Sequence, residues 1–222
     1  MPVSPAATLI CRENATAQKQ MQTATAISTS ADVLAMEHDG DEWVHNIQTQ
    51  TGRLSKLITN LVTLSRLDEE DPFPVRTEFS LSDVLWEISE PFVSLAQAKG
   101  KTYTQDIADG LSVTGDRTAI QQMVSILLDN ALKYSPDGGS ISLTARRSGK
   151  KAEITVSNTT DGVRNIDAAR LFDRFYRADE SHSNAVSGTG IGLSIAKATV
   201  DAHGGRISAK QTGNTITFQV TL

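Results

Sequence analysis

Met123, Leu127, Asn130 and Tyr134 fall at i, i+4, i+7 and i+11, so on a helix the Asn130 carboxamide emerges on or beside an apolar stripe. An unpartnered amide there costs about 1–3 kcal/mol. It calls for a ligand, and a hard cation suits an amide oxygen; the alternative is a capped or water-bound helical asparagine. Further along lies Gly188-Thr189-Gly190-Ile191-Gly192-Leu193. Residues lacking Cβ let backbone N–H groups approach phosphate oxygens at a helix N-terminus, where the dipole also favours negative charge. The following helix is expected over Leu193 to His203, with Leu193, Ala196 and Val200 at helical spacing and Gly204-Gly205 as a left-handed cap. Alone, the glycine loop is weak evidence and reads more readily as a flexible surface turn. Together with Asn130 and Lys133 it points to a nucleotide triphosphate site.

With Leu171-Phe172-Asp173-Arg174-Phe175-Tyr176-Arg177-Ala178-Asp179 between them, these two segments resemble the N box, F box and second glycine box of bacterial sensor histidine kinases of two-component systems. The resemblance runs from about Thr77 to Leu222. It implies an ATP-binding domain of the gyrase/histidine-kinase type that uses ATP and Mg²⁺. Asn130 would be the metal ligand, Lys133 a phosphate contact, and Gly188, Thr189, Gly190, Ile191, Gly192 and Leu193 the phosphate cradle. Tyr134 would lie against the nucleotide or pack in the core. The stretch between Asp161 and Gly188 resembles an ATP lid, where Arg174 and Arg177 either fork onto phosphates or remain exposed on a loop.

The sequence also departs from the family pattern. The first glycine box, Asp-x-Gly-x-Gly in the family, is here Asn158-Thr159-Thr160-Asp161-Gly162, with Gly162 alone in register. In the family that aspartate accepts a hydrogen bond from the adenine amino group; Asn158 can still accept through its side-chain oxygen, but as a neutral, weaker acceptor, which implies weaker adenine affinity. Ile126 stands where gyrase-type and chaperone-type relatives carry a glutamate that activates water; an isoleucine is no general base, so efficient hydrolysis by that route is not expected. The phosphoacceptor position aligns with Gln18. An amide nitrogen is not a nucleophile at neutral pH, so self-phosphorylation is doubtful. Lys19 replaces the neighbouring acid and Thr23 the proline of that box. His38, His45, His182 and His203 are read as structural or solvent-exposed. The alternative to an active kinase core is an ATP-binding module that regulates a response regulator or another histidine kinase by dimerisation.

The 222 residues carry a net charge of -5, which supplies no basic field for nucleic acid. The lone Cys11 fits a reducing compartment. No apolar run approaches the ~20 residues that span a bilayer. These features make cytoplasm the expected location, without direct membrane insertion. Because most members of the resembled family carry membrane spans upstream, the resemblance implies either a stand-alone protein or the cytoplasmic portion of a membrane sensor.

An acidic run closed by two prolines, Asp68-Glu69-Glu70-Asp71-Pro72-Phe73-Pro74, divides the chain. Residues 1–71 read as a helical hairpin, 72–76 as a linker and 77–222 as the ATP-binding domain. In the hairpin, Trp43, Ile47, Gln50, Leu54, Leu57, Leu61 and Leu64 alternate spacings of four and three, the seam of a coiled coil or bundle. An earlier helix, about Cys11 to Met36, ends near a turn at His38-Asp39-Gly40-Asp41. Two such hairpins make a four-helix bundle, so the protein is expected to form a homodimer through residues 11–67, with a response regulator as partner. After the linker, a helix over Leu81 to Lys99 with Ser80 or Ser82 as N-cap is followed by strands at 102–106, 140–147, 152–158, 206–210 and 215–222. The fold class is therefore α+β: a hairpin, then an α/β sandwich with one mixed sheet covered on one face by helices.

Overall fold

The computed structural model describes residues 26–27, 29–30, 32–34, 42–67, 69, 72–73, 75–161, 167–176 and 190–222. Gln18, Lys19, Thr23, Cys11 and the 38–41 turn lie outside the described residues. The chain divides into two compact units, Met1–Asp68 and Glu69–Leu222.

In the first unit, described residues from 26 to 34 are helical, and α1 spans Glu42–Leu67. The Gln48 Nε2 donates to Asp32 Oδ1 at 2.8 Å, so the two helical stretches lie side by side. Threonines in α1 direct their hydroxyls to the carbonyl one turn back, as Thr51 does to Ile47 O at 2.8 Å, which removes their competition with the helix. The buried positions include Val44, Thr51 and Ile58, spaced by seven. This stripe is offset by one residue from the expected seam, of which Trp43, Ile47, Leu54 and Leu61 are 77%, 45%, 47% and 50% exposed. Of that series, Leu64 is buried.

The second unit opens with β1 (Thr77–Ser80) and α2 (Leu81–Ala98), whose N-cap is Ser80, its hydroxyl accepting from Asp83 N. Then come β2 (Thr102–Ile107), β3 (Ser112–Gly115), α3 (Arg117–Tyr134), β4 (Ser140–Ser148) and β5 (Lys151–Thr159). A 3₁₀ turn at Arg170–Phe172, α4 (Gly192–Ala202), β6 (Arg206–Thr212) and β7 (Thr215–Thr221) complete it. The main sheet runs β2-β4-β5-β7-β6, parallel between β2 and β4 and antiparallel elsewhere. The three helices of this unit cover one face, and the core between them and the sheet holds Leu85, Met123, Leu127, Leu143, Ile154, Val156, Ala196 and Phe218. Burying the Val, Leu, Ile, Met and Phe side chains among them contributes about 1.5–3 kcal/mol each.

The single-sheet expectation is corrected by a second, two-stranded sheet of β1 and β3. Both strands are four residues long, too short to display alternation, and they pair only because the loop before β3 docks on α2, where Ser82 Oγ accepts from Leu111 N at 3.0 Å. Three helix ends also move by one residue: α2 stops at Ala98, and α4 starts at Gly192 and stops at Ala202. Among the described residues, no helix is long and apolar enough to cross a membrane.

Tyr103, on the helix-facing side of β2, has its hydroxyl pushed up to about 12 by burial, a shift opposed by the Ser89 hydroxyl, which donates to Trp86 O at 3.1 Å. The unfolded chain ionises this group near pH 10, so the folded state alone retains the proton between about 10 and 12. The stability Tyr103 contributes is thus present below pH ~10 and lost as pH rises through ~12, by about 2 kcal/mol. Urea unfolding of Tyr103→Phe against wild type at about pH 9 and about pH 11.5 should show this alkaline loss in wild type and a flatter profile in the variant.

Candidate nucleotide-binding site

The carboxamide helix and the glycine loop are brought together by packing. α3 and α4 lie against one another, and a Cβ at Gly192 would come within 3.3 Å of Ile126 Cγ2. The two helices approach this closely because residue 192 has no side chain. Asn130 follows one turn after Ile126 and is half-buried. Lys133 is half-buried too, its Nζ 5.4 Å from the centre of the Tyr134 ring. Tyr134 itself is 42% exposed, which excludes the core alternative for it.

The end of α3 is held by a residue that sequence reasoning missed. Lys101 is buried, and its Nζ donates to Leu132 O at 2.8 Å and to Ser135 O, capping the helix C-terminus where a cation is favoured. Burial lowers its pKa first and Lys99 adds to that, while Asp137 and Asp161 act in the opposite direction. The turn beyond α3 is tied to β5 because Thr159 Oγ1 accepts from Ser140 N at 2.8 Å. Gly139 sits so close that any side chain there would overlap the Ser135 and Thr159 hydroxyls.

Asn158 occupies the last inward position of β5, continuing the buried series Ala152, Ile154 and Val156. It is 1% exposed. Its Nδ2 donates to Thr159 O at 2.9 Å, and since a carbonyl only accepts, this contact places the nitrogen there and turns the oxygen away. That oxygen, Oδ1, is buried with no hydrogen-bond partner among the described residues. An orphaned acceptor of this kind costs about 1–3 kcal/mol and is relieved by any ligand offering an N–H.

The loop side is equally specific. Gly190 has φ +67°, and a Cβ there would come within 2.8 Å of the Phe175 carbonyl carbon. Phe175 N donates to Gly190 O at 2.9 Å, and Phe175 is itself in the left-handed region at φ 65°. The segment anchoring this contact is pinned by Phe172, edge-on to Phe218 at 6.3 Å, and by Arg170 over the Tyr176 ring at 4.5 Å. Ile191 is the N-cap of α4, and its side chain cannot accept the N–H groups of the first turn. Leu193 is half-buried against the core, and Arg174 is exposed. Gly162, Arg177, His182, Gly188 and Thr189 lie outside the described residues.

The donors suit a nucleotide-borne cation better than a protein-held one. Among the described residues no group of three His, Cys, Asp or Glu side chains could hold a metal. A magnesium ion bound through phosphates needs only one or two protein oxygens, which the Asn130 amide can supply.

Comparison with known proteins agrees with this geometry. Residues 115–222 match the family of histidine kinase-, DNA gyrase B- and HSP90-like ATPases. The sensor protein DltS of Streptococcus agalactiae is 34% identical over 197 residues, covering 89% of this chain and 50% of that protein. This chain belongs to the sensor histidine kinase family. It spans about half the length of the curated relatives it matches. The fold is shared with full-length ShkA, solved in complex with AMPPNP (TM-score 0.79, 20% identity, 95% of this chain and 45% of that one). It is shared also with the histidine kinase ThkA, solved with the response regulator TrrA (TM-score 0.65, 19% identity, 97% and 62%).

Two glycines separate close approach from backbone conformation. Gly110 has the same φ as Gly190 but open space around it. Gly110→Ala should cost about 1–2 kcal/mol from conformation alone, and Gly190→Ala at least about 1 kcal/mol more from overlap with Phe175, compared by urea unfolding.

Proposed function

We propose that this chain is the ATP-binding catalytic core of a sensor histidine kinase in two-component signalling, acting on a response regulator. The observation that carries the reading is the buried, unpartnered Asn158 Oδ1 at the position where the family reads the adenine amino group. Adenine would donate to Asn158. The N-terminus of α4, with Gly190, Ile191, Gly192 and Leu193, would hold the phosphates, joined by Gly188 and Thr189. Lys133, Arg174 and Arg177 would add positive charge, and the Asn130 oxygen would complete the shell of a phosphate-bound Mg²⁺. The nucleotide, when bound, supplies the transferable γ-phosphoryl group; the protein's part is to orient it and to neutralise its charge.

The domain reading is a hairpin over 1–71, a linker over 72–76 and the catalytic domain over 77–222. A homodimer through residues 11–67 is supported by Trp43, Ile47, Leu54 and Leu61, large apolar side chains exposed along one face of α1. ThkA, which shares this fold, is seen with a response regulator, which supports the same partner class here. The cytoplasm is the location consistent with that partner, for a stand-alone protein and for the cytoplasmic portion of a membrane sensor alike.

Gln18 in the phosphoacceptor position favours a second reading, in which nucleotide occupancy controls a regulator or another histidine kinase without phosphorylation of this chain. Labelled ATP should leave wild type without acid-labile, base-stable phosphate. Gln18→His combined with Lys19→Glu should gain it if the catalytic half is competent. Label appearing on wild type would remove the second reading.

Calorimetric titration with Mg-ATP tests the site itself. Asn158→Ala should weaken binding by about 5- to 150-fold, equivalent to about 1–3 kcal/mol. Asn130→Ala should weaken Mg-ATP more than metal-free ATP. Equal affinity of wild type and Asn130→Ala for Mg-ATP would exclude the metal contact.

A further inference from the structure

His203 completes the hydrogen bonding of two helix ends at once. Its Nδ1 lies 2.7 Å from Thr199 O, an acceptor only, so Nδ1 carries the proton. Its Nε2 is then the bare nitrogen, and it accepts from Asp116 N at 3.0 Å. Thr199 O belongs to the last turn of α4, and Asp116 is the N-cap of α3. Asp116 Oδ1 already accepts from Ala119 N at 2.9 Å, which is half of a capping box. The other half, an acceptor for the N-cap's own N–H, comes in a capping box from the side chain three residues on. Here that residue is Ala119, which has no acceptor. His203 supplies it instead from another helix, 87 residues away.

The ring is held on both faces of the contact. The Phe73 ring, 5% exposed, lies 4.8 Å from it centre to centre, and Phe73 O accepts from Arg76 Nε at 3.2 Å. On the other side Gly115 leaves the space: a Cβ there would fall 2.7 Å from Nε2. This clasp joins the start of α3 to the end of α4. Asn130 lies towards the other end of α3, and the glycine loop at the other end of α4. The two helices thus run antiparallel, stapled at one pole by His203 and carrying the candidate nucleotide groups at the other.

We propose that His203 is a positioning residue for the nucleotide site: by clamping the α3 N-cap to the α4 C-terminus under Phe73, it sets the spacing between Asn130 and the phosphate-binding turn. The inference rests on the nucleotide reading above. Phe73 lies six residues beyond the end of α1 along the chain, so the clasp is also where the segment leaving the hairpin is anchored to the catalytic unit.

The test uses the full chain and titration with Mg-AMPPNP, run well below every variant's unfolding temperature. His203→Ala should weaken nucleotide binding by about 10-fold. His203→Gln, which keeps a donor for Thr199 O and an acceptor for Asp116 N, should restore affinity to within about 3-fold of wild type. Gly115→Ala, which pushes the ring aside while leaving it in place chemically, should reproduce the loss, and Phe73→Ala should show a smaller loss in the same direction. Leu143→Ala, a core truncation on β4, a strand that contributes no residue to the clasp, is the control for destabilisation alone and should bind as wild type does. If His203→Ala and Gly115→Ala bind as wild type, or if Leu143→Ala loses as much as they do, the positioning role is overturned. Absence of nucleotide binding by wild type would instead overturn the nucleotide reading.

Discussion

The close contact of α3 and α4 at Gly192 and Ile126 is the constraint on which the site depends. Each helix alone offers little: a half-buried carboxamide on one, and on the other a first turn whose cap residue cannot accept a hydrogen bond. Their antiparallel packing puts both towards the same end of the helix pair. That packing is driven by the apolar faces, with Met123 and Leu127 on α3 and Ala196 and Val200 on α4 all fully buried. A side chain at 192 would press first on Ile126 Cγ2, which would have to give by a few tenths of an ångström. On the proposed reading the glycine serves two ends, helix–helix approach and backbone access to an anion, and only one of them concerns chemistry.

Polar groups placed against this packing differ in how they are satisfied, and the difference separates support from function. Lys101 is buried but donates to two carbonyls at the end of α3, so it stabilises the scaffold without facing a ligand. His203 has both ring nitrogens engaged. Asn158 is the contrasting case, with one end of its amide satisfied and the other left bare by the geometry that satisfies the first. Orphaned atoms do not by themselves mark a ligand site, since Tyr103 Oη and Gln105 Oε1 are also buried without a hydrogen-bond partner. Those two lie within β2 on the side that faces α2, among side chains packed between sheet and helix. Asn158 gains its meaning from position, at the end of a buried strand stripe and beside the turn that ties α3 to β5.

Much of this was legible in the sequence because it rests on local patterns. The 3.6-residue spacing of α3 and α4 and the alternation of β4 and β5 identify their own elements, and Asn158 breaks an apolar alternation of Ala152, Ile154 and Val156. What escaped notice depends on partners distant in the chain. The strands β1 and β3 are too short to show a period and are defined by pairing with each other. Lys101 and His203 are ordinary in sequence and acquire roles only when Leu132 or Asp116 is folded against them. The seam in α1 shows a subtler case: two adjacent stripes share the heptad spacing, and the stripe that a single chain buries is the one containing Val44, Thr51 and Ile58. Sequence spacing alone does not say which stripe faces the chain's own hairpin.

The substitutions that distinguish this chain from its family follow one physical direction. Against the family pattern that the sequence resembles, Asn158 stands in place of a carboxylate and Ile126 in place of a glutamate, and each lacks the charge of the residue it replaces. Neither disturbs the α3–α4 contact; Ile126 is part of it. On the proposed reading, a neutral acceptor contributes less to adenine recognition than a carboxylate would. A larger share of nucleotide affinity then falls on the phosphate end, where it comes from the α4 N-terminus and from cationic side chains. Interactions of that kind depend on how closely α4 is held beside α3, which makes the alignment of the two helices, alongside the base pocket, a quantity that governs occupancy.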